Sequence, residues 1–246
     1  MAVKHKILLL GGSGQLGREI LDSKIFNNIY SPNKKMLNIL DKRKIIKYLS
    51  SNKITIIINC AAKARMDYCE KFQNEAFKVN VKGVANIIDA IKKTNIKFIH
   101  FSTDAVYGFN TQNNKENSNL SPFNVYGLTK ICSEFYIKQL NNYIIIRTRF
   151  VLDKKKFNSY ATDMINSAIN IKKIPTILKI LIKKNFKGII NIGEKKNSNY
   201  NRAKKTNCKI KKTSWNKVFK KNGYIIAKEC TMNLKKMKSI IGNKID

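Results

Sequence analysis

A doubly wound α/β fold, one parallel sheet with helices on both faces, is the architecture this sequence predicts. Three observations predict it. Apolar runs of strand length recur at Ile7–Leu10, within Ile54–Ala62, at Lys97–Asp104 and at Tyr143–Arg147, and near-continuous apolarity marks parallel strands covered on both faces. Stretches with helical spacing alternate with them, as in Phe77, Val81, Val84, Ile87, Ile88 and Ile91. The first strand opens directly onto a glycine-rich turn that leads into a helix, a βα unit suited to anions.

That turn carries Gly11, Gly14 and Gly17 at G-x-x-G-x-x-G spacing, with Gln15 and Leu16 between the last two. The first glycine permits a tight turn, the second lets backbone approach a pyrophosphate, and the third lets the helix pack on the strand. The helix runs from Gln15 to Ser23. A short strand follows around Asn28–Tyr30, and its end bears on which dinucleotide fits. An acid about twenty positions beyond the glycines holds a ribose 2′-OH, whereas a cation accommodates a 2′-phosphate. The stretch here is Tyr30-Ser31-Pro32-Asn33-Lys34-Lys35, without an acid. Ser31, Lys34 and Lys35 therefore favour NADP(H), the other reading being two solvated lysines.

Further on, Lys42–Ser51 reads as a helix, and the Ile54–Ala62 run ends in Cys60, Ala61 and Ala62, small residues that leave room for a nucleotide. On the long helix after it, Asn80 is either a surface polar group or a buried side chain tying neighbouring strands together. The strand Lys97–Asp104 ends in Ser102-Thr103-Asp104, Ala105–Phe123 reads as loop, and a helix begins near Pro122 and carries Tyr126 and Lys130. Beyond Arg149, Phe157–Ile171 and Thr176–Lys184 look helical and Gly188–Gly193 looks like a strand. Leu234–Ile241 reads as a last helix ending at Gly242, and the basic stretch Lys195–Lys212 as a mobile surface segment.

With 246 residues and 43% hydrophobic content, the chain can bury a large core. A net charge of +34 ordinarily points to nucleic acid or an anionic membrane. Yet the excess is Lys, 43 against 6 Arg, spread through every segment beside Asn and Ile. That dispersion fits compositional drift toward AT-rich codons, and motifs for reading nucleic acid are missing, so nucleic-acid binding is not expected as a main function. The five cysteines, Cys60, Cys69, Cys132, Cys208 and Cys230, form no C-x-x-C pair. They predict free thiols in a reducing cytoplasm and no metal site. The N-terminal apolar run is too short for a signal or a membrane span.

Tyr126 and Lys130 stand four apart, on one face of a helix. A phenol is a poor acid–base group at neutral pH, and a nearby ammonium stabilises its phenolate. Spacing alone does not single the pair out, because Tyr30, Tyr200 and Tyr224 also have Lys four residues on. Context does, since Tyr126 follows a strand ending in hydroxyls, and Thr103 or Ser102 is placed to share a substrate oxygen with it.

Gly11-x-x-Gly14-x-Leu16-Gly17, Asn59-Cys60-Ala61-Ala62 with Asp67 beyond, Val79-Asn80, Ser102-Thr103-Asp104 and Tyr126-Gly127-x-x-Lys130 together resemble the extended short-chain dehydrogenases/reductases, and within them the dTDP-4-dehydrorhamnose reductase branch. The resemblance covers Val3 to Arg149. It implies a Rossmann-type NAD(P)-binding domain over residues 1–150 and a small, shortened C-terminal substrate lobe over 151–246. It implies reduction of the 4-keto group of a nucleotide-linked deoxysugar by NADPH, NADH remaining open. Tyr126 would be the proton donor, Lys130 the partner of the nicotinamide ribose that lowers the tyrosine, and Thr103 the hydrogen-bond donor to the carbonyl. The cofactor set it implies is Gly11, Gly14, Gln15, Leu16, Gly17, Ser31, Lys34, Lys35, Cys60, Ala61, Ala62, Asn80, Ser102, Tyr126 and Lys130, and the substrate set is Asp104, Ala105 and Phe150. A homodimer is compatible with it.

The chain departs from the family after Arg149. Phe150 stands where a Trp is usual, the stretch up to Pro175-Thr176 is contracted, and Lys228-Glu229 replaces an Arg-Pro pair. These departures leave open another nucleotide-sugar reductase, a 4-epimerase, or an inactive regulatory subunit on the same scaffold.

Overall fold

The computed structural model describes residues 5–152, 157–206, 209–222 and 224–242. Its frame is laid down early. β1 (Ile7–Leu10) is fully buried and runs into α1 (Gln15–Asp22), and β2 (Ile29–Tyr30) follows. α2 (Lys42–Asn52) starts where Asp41 accepts the Lys44 N–H at 3.0 Å, an N-cap that meets one orphan donor of the first turn. β3 (Ile56–Asn59), α3 (Met66–Lys71), α4 (Gln73–Phe77), a π turn (Lys78–Lys82) and α5 (Gly83–Ile91) lead to β4 (Lys97–Thr103). A 3₁₀ turn at Asp104–Val106, β5 (Thr111–Asn114), α6 (Val125–Ile137) and β6 (Tyr143–Thr148) come next.

The later chain is made of shorter pieces: β7 (Phe150–Val151), β8 (Ser159–Ala161), β9 (Ile165–Asn166), β10 (Ile169–Asn170) and α7 (Ile174–Lys183). Then come β11 (Gly188–Ile192), β12 (Asn197–Ser198), α8 (Asn199–Thr206), β13 (Lys211–Thr213), α9 (Trp215–Asn222), β14 (Glu229–Met232) and α10 (Lys235–Ile241).

Six parallel strands form the central sheet in the order β11-β6-β4-β3-β1-β2, which is the doubly wound architecture the sequence predicts. The order reverses between β1 and β3, and the crevice outside that switch point is where such sheets take ligands. Side chains alternate across the sheet. Ile7, Leu9, Ile58, Ile99 and Ile146 pack under α1 and α7, whereas Leu8, Ile57, Phe98 and Ile145 pack under α2 and α5. α7 and β11 lie beyond residue 150 and yet complete this layer, so the boundary read from the sequence falls short of the last sheet strand.

Three expectations are corrected here. Ala105–Phe123 is not all loop: it holds the end of the 3₁₀ turn and β5, which pairs with β14. Phe157–Ile171 is not a helix: it holds β8, β9 and β10, of two or three residues each, whose partners are the distant β13, β12, β14 and β7. Lys195–Lys212, apart from residues 207 and 208 outside the described set, is the ordered unit of β12, α8 and the start of β13. The C-terminal lobe has its own small core of Ala161, Met164 and Ile226 with Trp215, Val218 and Phe219 packed on it. It is joined to the sheet domain where β14 pairs with β5. No helix among the described residues is long and apolar enough to cross a membrane.

Candidate active site

The glycine turn has the shape of an anion cradle. Gly11 has φ +81°, and a Cβ there would lie 2.5 Å from the Ala61 nitrogen; a Cβ on Gly17 would lie 2.3 Å from the Gly11 oxygen. Those two glycines are required by the chain's own packing. Gly14, the N-cap of α1, would meet only the Gly11 oxygen, at 3.3 Å, and it gives the helix no side-chain cap. The first-turn N–H groups of α1 are therefore open to an external acceptor. Ser31 stands against this turn, its hydroxyl 2.0 Å from where a Gly12 Cβ would be, and Lys34 and Lys35 are exposed just beyond. Leu16 is buried in the core beneath the turn. The residues present thus fit a dinucleotide diphosphate: an uncapped helix start, a glycine that packing leaves unexplained, and cations rather than an acid at the end of β2.

On the other side of the switch point, Thr103 closes β4. Its hydroxyl oxygen accepts the Ala105 N–H at 3.2 Å and lies 3.2 Å from Asp104 Oδ1. Asp104 and Ala105 are buried rather than lining the cleft, and Asp104 Oδ2 accepts from Arg149 Nε at 2.7 Å. α6 begins against this turn. Asn124 caps it by accepting the Gly127 N–H at 2.8 Å, and a Cβ on Gly127 would be 2.8 Å from the Ala105 oxygen. Tyr126 stands next to Gly127 in the first turn of α6. Its phenol is raised above the ordinary value, chiefly by burial and then by Cys69 and Asp104, with Arg149 opposing. Lys130 does not face it. The lysine Nζ instead sits 3.1 Å from His100 Nε2, and burial pushes its pKa down to about 8. The lowering of Tyr126 by Lys130 that the resemblance implies is therefore not seen in this arrangement, and the cation near the phenol is Arg149.

Alternation along β4 explains the neighbouring groups. Phe98, His100 and Ser102 point to one side, and α6 presents Lys130, Ser133 and Glu134 to the two polar ones. Ser102 donates to Glu134 Oε1 at 2.5 Å, so its hydroxyl is already engaged. Glu134 in turn receives Arg147 Nη2 at 2.6 Å and Nε at 3.1 Å. Arg147 Nη1 reaches Tyr107, whose hydroxyl donates to Asn191 Oδ1. Asn80, buried in the π turn, accepts the Lys63 N–H at 2.8 Å and donates to Thr129 Oγ1 at 3.0 Å. It ties the loop after β3, with Ala61 and Ala62, to α6 rather than joining two strands. Cys60 follows β3, and burial raises its thiol while Lys130 pulls it down. Cys60, Cys69, Cys132 and Cys230 are free thiols; Cys208 lies outside the described residues.

A cleft of about 680 Å³ opens between the sheet domain and the lobe, walled by Gln15, Arg149, Phe150, Asn197, Arg202 and Lys205 among others. Gln15 brings the glycine turn to it and Arg149 brings the Thr103–Tyr126 corner. Lys195 and Lys196 stand at its edge, and Arg202 is anchored through Nη1 to Asn166 Oδ1 at 2.7 Å. The sequence reading named Gln15 and Phe150 but missed Arg149, Arg202, Asn59 and His100. The polar His100 and Ser102 at alternate positions of an apolar strand, opposite polar residues three and four apart on a helix, were a signal. Arg202 left none, because its wall is built by long-range pairing. Among the described residues no cluster of His, Cys, Asp or Glu could hold a metal.

Of the four Tyr-x-x-x-Lys pairs, only those at Tyr126 and Tyr200 lie on helices. At Tyr200 the Lys204 ammonium rests 5.9 Å from the ring centroid on α8, away from the switch point.

The chain is similar to a dTDP-4-dehydrorhamnose reductase of Aggregatibacter actinomycetemcomitans, 29% identical over 72% of this chain and 60% of that protein. It is also similar to the spore coat polysaccharide biosynthesis protein SpsK of Bacillus subtilis, 33% identical over 59% of this chain and 53% of that one. The match thus spans little more than half the length of these relatives. A crystal structure of dTDP-4-dehydrorhamnose reductase from Bacillus anthracis in complex with NADP shares the fold, with a TM-score of 0.86, 22% identity, and coverage of 98% of this chain and 93% of that one. Residues 5–177 match the description of the RmlD substrate binding domain, and with most of the chain inside that match, glycine turn and Thr103–Tyr126–Lys130 corner included, this protein belongs to that family.

Proposed function

We propose that the chain is an NADP(H)-dependent reductase of the 4-keto group of a nucleotide-linked deoxysugar, of the dTDP-4-dehydrorhamnose reductase kind, serving activated-sugar synthesis. The observation that supports this reading is the start of α6 against the turn after β4, where a Gly127 Cβ would crowd the Ala105 oxygen and Tyr126 comes within reach of the Asp104 and Arg149 charges. NADPH, held by the glycine turn, Ser31, Lys34 and Lys35, would supply the hydride. Thr103 offers a hydroxyl to the carbonyl oxygen. Tyr126, kept protonated at neutral pH by its raised pKa, gives its proton only to a more basic oxygen, and the alkoxide of the reduced sugar is one. Arg149 lies close enough to offset charge on the phenolate, and Lys130, whose Nζ sits at His100, would return a proton to it only by turning toward the cleft. The cationic cleft supports a diphosphate-linked substrate, and the four free thiols support a reducing compartment such as the cytoplasm. Exposed Leu128, Phe135 and Tyr136 on α6 give apolar surface for a homodimer.

Purified protein with NADPH and dTDP-4-dehydrorhamnose should consume the reduced nicotinamide, and Tyr126→Phe should lower kcat by about 10²–10⁴-fold with NADPH affinity kept. No consumption by the wild type, or equal rates in the variant, refutes the assignment.

A further inference from the structure

Between the sheet and α6 lies a closed chain of polar side chains, of which the proton transfer above uses only Lys130. Asn59 Oδ1 accepts the Ala61 N–H at 3.1 Å, which turns the Asn59 amide nitrogen toward His100 Nδ1, also at 3.1 Å. An amide nitrogen only donates, so Nδ1 accepts, and a neutral imidazole then carries its proton on Nε2. The ring is neutral, because burial and the neighbouring lysine hold it well below its ordinary pKa. Nε2 faces Lys130 Nζ at 3.1 Å and Ser133 Oγ at 3.3 Å, while the Ser133 proton goes to the Lys130 carbonyl at 2.8 Å. Asn59, His100, Lys130 and Ser133 are all buried. A protonated Nε2 has no lone pair for an ammonium, but it can donate to a free amine.

We propose that His100 is a positioning residue for Lys130: fixed by Asn59 in the Nε2–H form, it seats the lysine as a free amine and releases it toward the cleft when it is protonated. This rests on the reductase reading, in which the Lys130 ammonium returns a proton to the Tyr126 phenolate. An N–H bond breaks, an O–H bond forms, and the resulting amine is the species His100 receives until solvent restores its proton. The groups facing Lys130 are Glu134 on its own helix, tied to Arg147, Cys60 after β3, Cys69 on α3 and His100 on β4. Glu134 and the two thiols favour the ammonium; burial opposes it and prevails.

Asn59→Asp discriminates. A carboxylate there still accepts from Ala61 but takes the proton of Nδ1, so Nε2 becomes an acceptor and holds the ammonium. His100→Gln is the neutral counterpart, offering an amide oxygen to the same ammonium. The reactivity of Lys130 toward acetic anhydride across pH, read by peptide mass spectrometry, titrates this amine without turnover. Its midpoint should fall near pH 8 in the wild type and rise by about one unit in both variants, roughly a fivefold loss of the amine form at the original midpoint. The alkaline limb of kcat/KM should move with it. An unmoved midpoint in the folded variants overturns the proposal, as does a shift in Asn59→Asp alone, which the added charge explains. Shifted midpoints in a protein that never oxidises NADPH would keep the His100 seat and remove the reductase reading.

Discussion

Glu134 shows what a single buried charge does here. Its carboxylate holds Arg147 and the Ser102 hydroxyl, with both charged side chains only 1% exposed. Taking two ions out of water is costly, and removing one partner leaves the other uncompensated. Glu134→Ala should therefore lose about 3–5 kcal/mol of stability in urea unfolding, whereas Tyr126→Phe should unfold like the wild type. A loss under about 1 kcal/mol would mean that water reaches the pair. The residue scale was partly legible in the sequence. Thr103, Tyr126 and Gly127 are read from a motif because the motif is local. Arg149, Asn59 and His100 take their meaning from partners dozens of positions away, and the direction in which Lys130 points is decided by a ring on another strand.

Within the first βα unit, the glycines divide the labour between folding and binding. A methyl on Gly17 meets backbone at 2.3 Å and cannot be accommodated unless α1 shifts, so Gly17→Ala should cost about 1–3 kcal/mol. A methyl on Gly14 meets one oxygen at 3.3 Å, and Gly14→Ala, at an N-cap, should cost no more than about 1 kcal/mol while weakening NADPH binding. Equal thermal shifts for the two variants would contradict the division. β1, β3, β4 and β6 and the helices between them were readable because each run is long enough for its period to show, whereas β5 at Thr111–Asn114 lay hidden in a polar stretch that reads as loop. β8, β9 and β10 were not, since two or three residues carry no period and owe their conformation to pairing across the lobe. The π turn at Lys78–Lys82 was likewise hidden inside a pattern that reads as one helix.

For the molecule as a whole, part of the +34 charge is gathered in one place. Arg149, Arg202, Lys195, Lys196 and Lys205 converge on one cleft, whose walls focus the field on an incoming anion. Association of dTDP, followed by stopped flow, should slow about tenfold or more from low to physiological salt, and a Lys195→Gln/Lys196→Gln variant should flatten that dependence. A rate indifferent to salt would return these lysines to the general surplus.

The route of the backbone sets how this cleft opens. The chain leaves the sheet after β6 and returns to it at β11, leaves again, and comes home with α10, whose Met237, Ile240 and Ile241 pack against the sheet core. A body joined through four crossings swings only if all of them bend together, since hinged closure asks its linker residues to absorb the rotation. The more strands of chain share that rotation, the more the choice among ligands falls to fit at the mouth.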